Sequence, residues 1–303
     1  MANSNLHAAK RAKNDEFYTQ LSDVEKEMKH YKPFFKGKKV LCNCNDDRWS
    51  AFFKYFSMNF EHLGLAKLTC VSYCEGGHGT KYVFEGDTNG NRMVDDEEIN
   101  ISQLEGDGSF SSPESIELLK EADVVVTNPP FSKFREFMEL MFQYEKKFLV
   151  IGNKNAITYK EIFPHIKENK LWIGYTNPGE FIQPNSDDVK TLSGLTKWFT
   201  NLEHDKRNLP LDLYKKYTPE EYPKYDNYDA IEVSKTCDIP ADYDGVMGVP
   251  ISFLDKYCPS QFQIVGIMTG SKGTCFFNGN DGKLKFSVDG KSVYARILIR
   301  KHV

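Results

Sequence analysis

The amino-acid sequence predicts an α/β fold built on a doubly wound, mostly parallel sheet, with an irregular β-rich portion at its C-terminal end. Three observations carry this. Short, apolar, β-branched segments alternate with helical patterns between Lys38 and Tyr175, the alternation that produces parallel strands joined by helical crossovers. One such segment, Asp123–Thr127, runs directly into Asn128-Pro129-Pro130-Phe131, so a buried strand ends on a stiff polar edge. Beyond Tyr175 the residues Pro, Asn, Asp and Tyr dominate to about Asp244, and hairpin-like strands follow. This change of texture divides the chain into portions 1–175 and 176–303, the second also expected to lend strands to the sheet.

The elements follow in order. A first helix is predicted over Asp23–Tyr31, capped by Ser22 and stopped by Pro33. Lys38–Asn45 reads as a strand that opens into the polar loop Asn43–Asp47. Asp47–Gly64 places apolar residues at helical spacing and closes on Gly64, a C-cap residue. Ala66–Cys74 is the next strand. Gly76–Phe110 is Gly-rich and acidic, and within it Lys81–Gly86 and Arg92–Glu97 flank Asn89-Gly90, a hairpin-turn pair. A helix over Ser112–Glu121, the strand ending at Thr127, a helix over Lys133–Lys146, a strand over Lys147–Asn153, a helix over Tyr159–Glu168 and a strand over Lys170–Tyr175 complete the series.

Composition narrows the class. With 40% hydrophobic and 27% charged residues in 303, the chain is neither disordered, collagen-like nor a coiled coil. No apolar run approaches the ~20 residues that cross a bilayer, and the N-terminus is polar, so no membrane association is expected. The net charge of −4 excludes a uniformly basic nucleic-acid coat. Yet Met1–Lys39 carries +4 and Ser271–Val303 carries +5, against −9 over Glu75–Glu121, so a phosphate-binding face fits the ends of the chain. Seven cysteines without a secretion signal imply reduced thiols in a cytoplasmic protein. Cys42, Cys44, Cys70 and Cys74 lack the paired-knuckle spacing of a zinc site and read as small residues on neighbouring strands. Asp87, Asn89, Asn91 and Glu98 stand at positions 1, 3, 5 and 12 of a calcium loop. Arg92 occupies the position that needs glycine, however, and the hairpin is the preferred reading, with no metal expected.

The chemistry concentrates at Asn128-Pro129-Pro130-Phe131. Two prolines remove backbone donors and fix φ, which leaves the Asn128 side-chain carbonyl and the Pro129 main-chain carbonyl as acceptors at a strand's carboxyl end, where α/β folds bind ligands. Such an edge suits an NH2 group, and Phe131 supplies a flat face for a planar ligand.

This tetrapeptide resembles the catalytic motif of amino-group methyltransferases that use S-adenosylmethionine. Asp15–Gln20, Leu41–Asp47, Phe52–Phe56, Ser115–Phe131, Phe148–Val150, Ile157–Glu161, Pro223–Ile231 and Gly245–Pro250 together resemble the EcoRI modification methylase family, in colinear blocks from about residue 8 to 267. The first-strand loop lacks the glycines common to most methyltransferases, as that family's members also do, and the stretch Tyr175–Asn201 is abbreviated.

The resemblance implies a Rossmann-like methyltransferase fold with cofactor binding and catalysis in 1–175 and DNA-recognition elements in 176–303. It implies transfer of a methyl group to adenine N6 in duplex DNA by base flipping, with Asn128, Pro129, Pro130 and Phe131 catalytic. Tyr18, Thr19, Asn43, Cys44, Asp46, Glu75, Asp107 and Asn128 would contact the cofactor, Glu75 at the ribose hydroxyls and Asp107 at the adenine amino group. A restriction endonuclease would be a genetic partner without direct contact. Trp198-Phe199, Lys206-Arg207 and Tyr214-Lys215-Lys216 are candidate DNA contacts. An RNA or protein amide methyltransferase would share the tetrapeptide, and a non-catalytic nucleic-acid-binding module on the same fold is the remaining alternative.

Overall fold

Two separated stretches of chain build each half of the structure. Met1–Ala156 and Ile173–Glu203 form one unit, and Ile157–Trp172 and His204–Val303 form the other. The computed structural model describes residues 18–44, 46–182, 189–192, 194–268, 274–277, 280–283 and 286–302. The expected first part of the cofactor motif, Asp15–Phe17, and Asn45 of the first-strand loop lie outside the described residues.

In chain order the elements to Thr200 are β1 (Tyr18–Thr19), α1 (Leu21–Met28), β2 (Lys39–Cys42), α2 (Ala51–Met58), α3 (Phe60–Leu63), β3 (Lys67–Ser72), β4 (Thr80–Phe84), β5 (Ile99–Gln103), α4 (Pro113–Glu121), β6 (Val124–Thr127), α5 (Phe134–Gln143), β7 (Lys147–Asn153), α6 (Phe163–Lys167), β8 (Trp172–Ile173), β9 (Glu180–Ile182), β10 (Val189–Thr191) and β11 (Thr196–Thr200). The large sheet has the order β5-β4-β3-β2-β6-β7-β11-β8. Its centre is parallel: β2 pairs with both β3 and β6, and β6 pairs with β7. β4, β5 and β11 join antiparallel, so the mostly parallel sheet expected from the sequence is in fact mixed. The connection from β3 to β4 is too short for a helical crossover, which forces the chain to return beside itself.

Strands buried on both faces read as continuous apolar runs, and β6 is buried along its whole length. β2 (Val40, Cys42), β3 (Leu68, Cys70), β6 (Val124, Val126) and β7 (Leu149, Ile151) share one core with Val24 and Met28 of α1 and Phe52 and Phe56 of α2. Trp198 of β11 is fully buried in it, edge-on to Phe52 at 6.2 Å.

Several boundaries differ from the sequence pattern for identifiable reasons. The helix expected over Asp47–Gly64 is two helices, because Asn59 turns out of helical geometry and donates its amide Nδ2 to the Tyr55 carbonyl at 2.8 Å. Ser50 caps its start through the Phe53 N–H, and Gly64 closes its end at φ 64°. α1 starts at Leu21 and ends at Met28 rather than spanning Asp23–Tyr31. The helix expected over Tyr159–Glu168 shortens to Phe163–Lys167, with Pro164 in its first turn, where a missing N–H costs nothing. The strand partner of β4 is Ile99–Gln103, and Arg92–Glu97 forms no strand. Arg92 also does not block the turn, as it adopts the left-handed conformation at φ 62°. Asp87 accepts from the Gly90 and Arg92 N–H groups and Glu98 from that of Thr88, each near 2.6–2.7 Å. Among the described residues no group of three or more His, Cys, Asp or Glu side chains is arranged to hold a metal ion. No helix among them is long and apolar enough to cross a membrane.

The second unit contains α6 and a seven-stranded sheet of β12 (Lys224–Tyr225), β13 (Tyr228–Glu232), β14 (Met247–Pro250), β15 (Phe262–Met268), β16 (Thr274–Phe277), β17 (Asn280–Lys283) and β20 (Arg296–Lys301), beside the hairpin β18 (Ser287–Val288) and β19 (Lys291–Ser292). Its order is β12-β13-β14-β20-β15-β16-β17. A buried ion pair lies within it: Arg296 donates to Glu232 through Nε at 2.9 Å and a terminal nitrogen at 2.5 Å, and the Tyr225 hydroxyl donates to the same carboxylate.

In the first unit, β1 belongs to a small sheet of order β1-β9-β10, with Tyr18 opposite Ile182 and Thr19 opposite Phe181. Two carboxylates one turn apart on α1 hold the chain leading into β9. Glu27 accepts from the backbone N–H of Tyr175 and of Thr176 at 2.6 Å each, and from the Tyr31 hydroxyl at 2.8 Å. Asp23 accepts from the Gly179 and Glu180 N–H groups at 2.8 and 3.2 Å. Glu27 is fully buried, and desolvation holds its carboxyl above the usual range despite these bonds. Truncating one acceptor strands several buried donors. Glu27→Ala is therefore expected to lower unfolding free energy by about 3 kcal/mol, measured as a shifted urea midpoint with unchanged slope.

Candidate active site at the carboxyl ends of the parallel strands

Parallel pairing of β3, β2 and β6 sets their carboxyl ends side by side, with Cys42 opposite Cys70 and Leu41 opposite Val125. Three loops therefore open on the same edge of the sheet.

The loop after β6 carries Asn128-Pro129-Pro130-Phe131. Pro129 is buried, while Asn128, Pro130 and Phe131 are half-buried; the Oδ1 atom of Asn128 is itself buried. The Pro130 carbonyl accepts the Lys133 N–H at 2.9 Å and opens the 3-10 turn Phe131–Lys133 that feeds α5. Phe131 packs against the main core, so the core fixes its ring.

The loop after β2 has no glycine and is organised by side chains instead. Asn43 is almost completely buried and Cys44 half-buried. Asp46 turns inward. Its N–H donates to the Val71 carbonyl at 2.9 Å, and its carboxylate accepts from the Thr127 hydroxyl at 2.6 Å. Burial pushes that carboxyl up to about 7, against hydrogen bonds from Thr127, Ser50 and the Cys44 backbone. Asp47 accepts from the Trp49 N–H at 2.8 Å and turns the chain into α2.

The loop after β3 holds exposed Glu75. Half-buried Asp107 is brought to it, since the Cys74 N–H donates to the Asp107 carbonyl at 2.8 Å. This contact needs two glycines. A Cβ on Gly79 would lie 2.6 Å from the Gly108 Cα, and one on Gly108 would lie 2.5 Å from the Ser72 carbonyl oxygen. The Asp107 carboxylate accepts from the Ser109 N–H at 2.9 Å. On β1, Tyr18 is exposed and Thr19 is buried.

Two polar atoms here have no hydrogen-bond partner among the described residues: the Thr19 hydroxyl and the Asn43 amide nitrogen, both in buried side chains. A buried polar atom left unsatisfied costs roughly 1–3 kcal/mol, so each is suited to a ligand atom. Both occupy positions expected from the sequence to meet the cofactor, and the donor set fits a polar, nucleoside-bearing molecule.

Other expectations fare differently. Trp198 and Phe199 are fully buried and cannot reach DNA. Arg207 lies over the Trp172 ring at 3.3 Å and donates to Asn169, which engages it within its own unit. Tyr214 and Lys216 are exposed. Cys42 and Cys70 are buried neighbours on β2 and β3, their thiols held above the usual range by desolvation. Sequence reasoning missed Thr127 and Ser50 as partners of Asp46, and Glu27 as an anchor of the chain leading into β9. The first pair is 81 residues apart, and no local pattern signals it.

A mixed sheet with a parallel centre, and an Asn-Pro-Pro-Phe edge at the end of one of its strands, defines a methyltransferase of the kind that acts on amino nitrogens. The chain belongs to the family of adenine-specific methyltransferases typified by EcoRI, which matches residues 5–302. It is 46% identical to the Type II methyltransferase M.EcoRI of Escherichia coli, over 98% of this chain and 96% of that protein. It is 38% identical to the Type II methyltransferase M.MgeORF184P of Mycoplasma genitalium and to M.MpnI of Mycoplasma pneumoniae, over 98% of both partners in each comparison. No solved structure gives a significant match. The family match is longer than the 8–267 that the motifs delimit, and leaves out only residues 1–4 and 303.

The unpartnered hydroxyl yields a test. Thr19→Val should leave the free protein as stable as wild type or up to about 1 kcal/mol more stable, and should weaken S-adenosylmethionine binding roughly tenfold. Calorimetric melting and titration of the same samples separate the two effects.

Proposed function

We propose that this methyltransferase modifies adenine N6 at a fixed sequence in duplex DNA, with S-adenosylmethionine as donor, on a Rossmann-like, doubly wound core. The reading rests on Asn128 and Pro129 at the carboxyl end of a buried parallel strand, beside the loop in which the buried Asn43 amide nitrogen has no partner among the described residues. The names of the relatives as Type II methyltransferases support site-specific DNA as substrate and a restriction endonuclease as genetic partner.

Tyr18, Thr19, Asn43, Cys44, Glu75, Asp107 and Asn128 are proposed to hold the cofactor, with the Asp46 carboxylate supporting the loop from beneath. Glu75 is exposed at the turn after β3, suited to ribose hydroxyls, and Asp107 beside it suits the amino group of the cofactor's adenine. When bound, S-adenosylmethionine supplies an electrophilic methyl group on a sulfonium.

Adenine N6 is paired inside a duplex, so the base must leave the stack before chemistry. The Asn128 side-chain carbonyl and the Pro129 carbonyl accept the two N6 hydrogens, which turns the nitrogen lone pair away from them and toward the cofactor. Pro130 contributes rigidity by fixing φ at the exit of the strand, and Phe131 stacks on the base. After transfer the cationic nitrogen loses a proton, so no strongly basic side chain is required. Alignment provides most of the acceleration. The catalytic and cofactor roles fall in 1–175. The portion 176–303 is proposed to carry DNA recognition, with β11 as its contribution to the catalytic unit's sheet and exposed Tyr214 and Lys216 as candidate contacts. A cytoplasmic location follows from this role.

Asn128→Ala is expected to leave cofactor affinity within a few-fold of wild type and to reduce single-turnover methylation by at least a hundredfold. A variant retaining a tenth of wild-type turnover would remove Asn128 from the mechanism. Phe131→Ala should weaken capture of the extruded base roughly ten- to a hundredfold, since base–aromatic stacking is worth ~1–3 kcal/mol. 2-Aminopurine fluorescence at the target position reads this, and the salt dependence of overall binding should stay the same.

A further inference from the structure

We propose that Asp46 is a positioning residue for methyl transfer, acting through Thr127 to fix the catalytic tetrapeptide and to tie it to the loop after β2. The inference rests on the functional reading above and adds a residue pair to it.

Asp46 joins all three parallel strands that end at the site. It follows β2 on its own loop, its N–H is bound near the end of β3 through the Val71 carbonyl, and its carboxylate takes the Thr127 hydroxyl at the end of β6. Thr127 is fully buried and Asp46 nearly so, which excludes water from the 2.6 Å bond between them. Thr127 directly precedes Asn128, so a locked Thr127 side chain limits rotation of the peptide that carries the catalytic amide. The Ser50 hydroxyl and the Cys44 N–H bind the same carboxylate. One acid thus holds the start of α2, the cofactor loop and the catalytic strand together. Misplacement of a reacting partner by about 1 Å costs on the order of a hundredfold in rate.

The bonding pattern also sets a pH dependence. Thr127, Ser50 and Cys44 all present hydrogens, and a carboxylate accepts them all. The protonated acid carries its own hydrogen and accepts fewer, which frees the Thr127 hydroxyl to turn away. The titratable groups facing Asp46 are Asp47 on its own loop, whose charge favours the protonated form, Cys42 on β2 and Cys70 on β3. Both thiols are held neutral by burial, so they add no charge near neutrality. With a carboxyl pushed up to about 7, the ordering form gains population as pH rises through neutrality. Stability runs the other way. A folded-state pKa above the unfolded value contributes stability at low pH that is lost as pH rises between about 4 and about 7.

The experiment compares wild type with Asp46→Asn, Thr127→Val and Thr127→Ser. It measures single-turnover methylation of duplex DNA from pH 5.5 to 9, S-adenosylmethionine affinity by calorimetry, and melting temperature against pH. Wild type should speed up with a midpoint near 7 while its melting temperature falls over the approach to that pH. Asp46→Asn should lose both slopes and run near the slow, low-pH rate of wild type. Thr127→Val should lose ten- to a hundredfold in rate, with affinity within threefold, and Thr127→Ser should recover most of it by restoring the hydroxyl. Should Asp46→Asn fail to fold, the Val and Ser variants still decide, because they differ from wild type by single groups. An active wild type with Thr127→Val at full rate, or with Asp46→Asn keeping the wild-type pH profile, would overturn the inference alone. A folded wild type that binds S-adenosylmethionine but methylates no duplex DNA would overturn the functional reading and the inference together.

Discussion

Everything at the candidate site depends on one pairing arrangement: β2 lies between β3 and β6, parallel to both. Parallel neighbours start and end in the same direction, so three loops that are distant in sequence leave the sheet on one edge. The pairing needs strands that are apolar on both faces, and β6, with four buried residues in succession, meets that condition. It also needs helical crossovers to return the chain, which α2 and α4 supply. The antiparallel additions on the flanks lengthen the sheet without changing which ends converge. A polar substitution in β6 would therefore affect the site by disturbing register, with no contact to any ligand.

Much of this was legible in the sequence because the signals are local. Alternating strands and helices, Gly64 at φ 64° and the Pro-Pro exit of β6 are each decided by a handful of neighbouring residues, whereas Ser22, expected to cap the first helix, lies within it behind Gln20. What was not legible is relational. The parallel content was overestimated because β4 and β5 carry the same strand-like residues whichever way they run, and only the length of the turns decides direction. The hairpin was placed too early because Arg92–Glu97 has a strand-like beginning, while Glu98 just beyond it accepts from the Thr88 and Asn89 N–H groups of the loop. Trp198 and Phe199 looked like DNA contacts by composition. Their burial follows from β11 pairing with β7, which sets Trp198 opposite Ile151 and Phe199 opposite Val150, partners distant in the chain.

The cofactor positions show the same division. Asn43, Cys44 and Asp46 were placed by resemblance to a loop pattern, and the structure locates them at the end of β2. It separates their behaviour: the buried Asn43 amide nitrogen has no partner among the described residues, whereas Asp46 spends its carboxylate inside the protein. In place of the glycines usual in such loops, the chain uses side-chain hydrogen bonds to hold the backbone close. A glycine-free loop has fewer conformations to lose on ordering, and it makes the loop's shape depend on a titratable group. Glu27 and Asp23 play a comparable part for β1: they hold the chain leading into β9 by its backbone, and β9 in turn pairs with Tyr18 and Thr19.

The alternation of the two units along the chain bears on synthesis. Ile157–Trp172 belongs to the second unit, yet it emerges before β11, which completes the sheet of the first. α6 must then wait for β15, about a hundred residues later, to gain its packing partner. No break point in the gene yields an N-terminal product containing one finished unit and nothing of the other. Fragments cut near residue 175, where the texture of the sequence changes, would expose the β7 edge with its long apolar run, a surface prone to pairing with other chains. The fold is thus poorly suited to splitting into independently expressed halves, and on the ribosome the first unit's sheet remains unfinished until residue 200 has cleared the exit tunnel and the second's until β20 has.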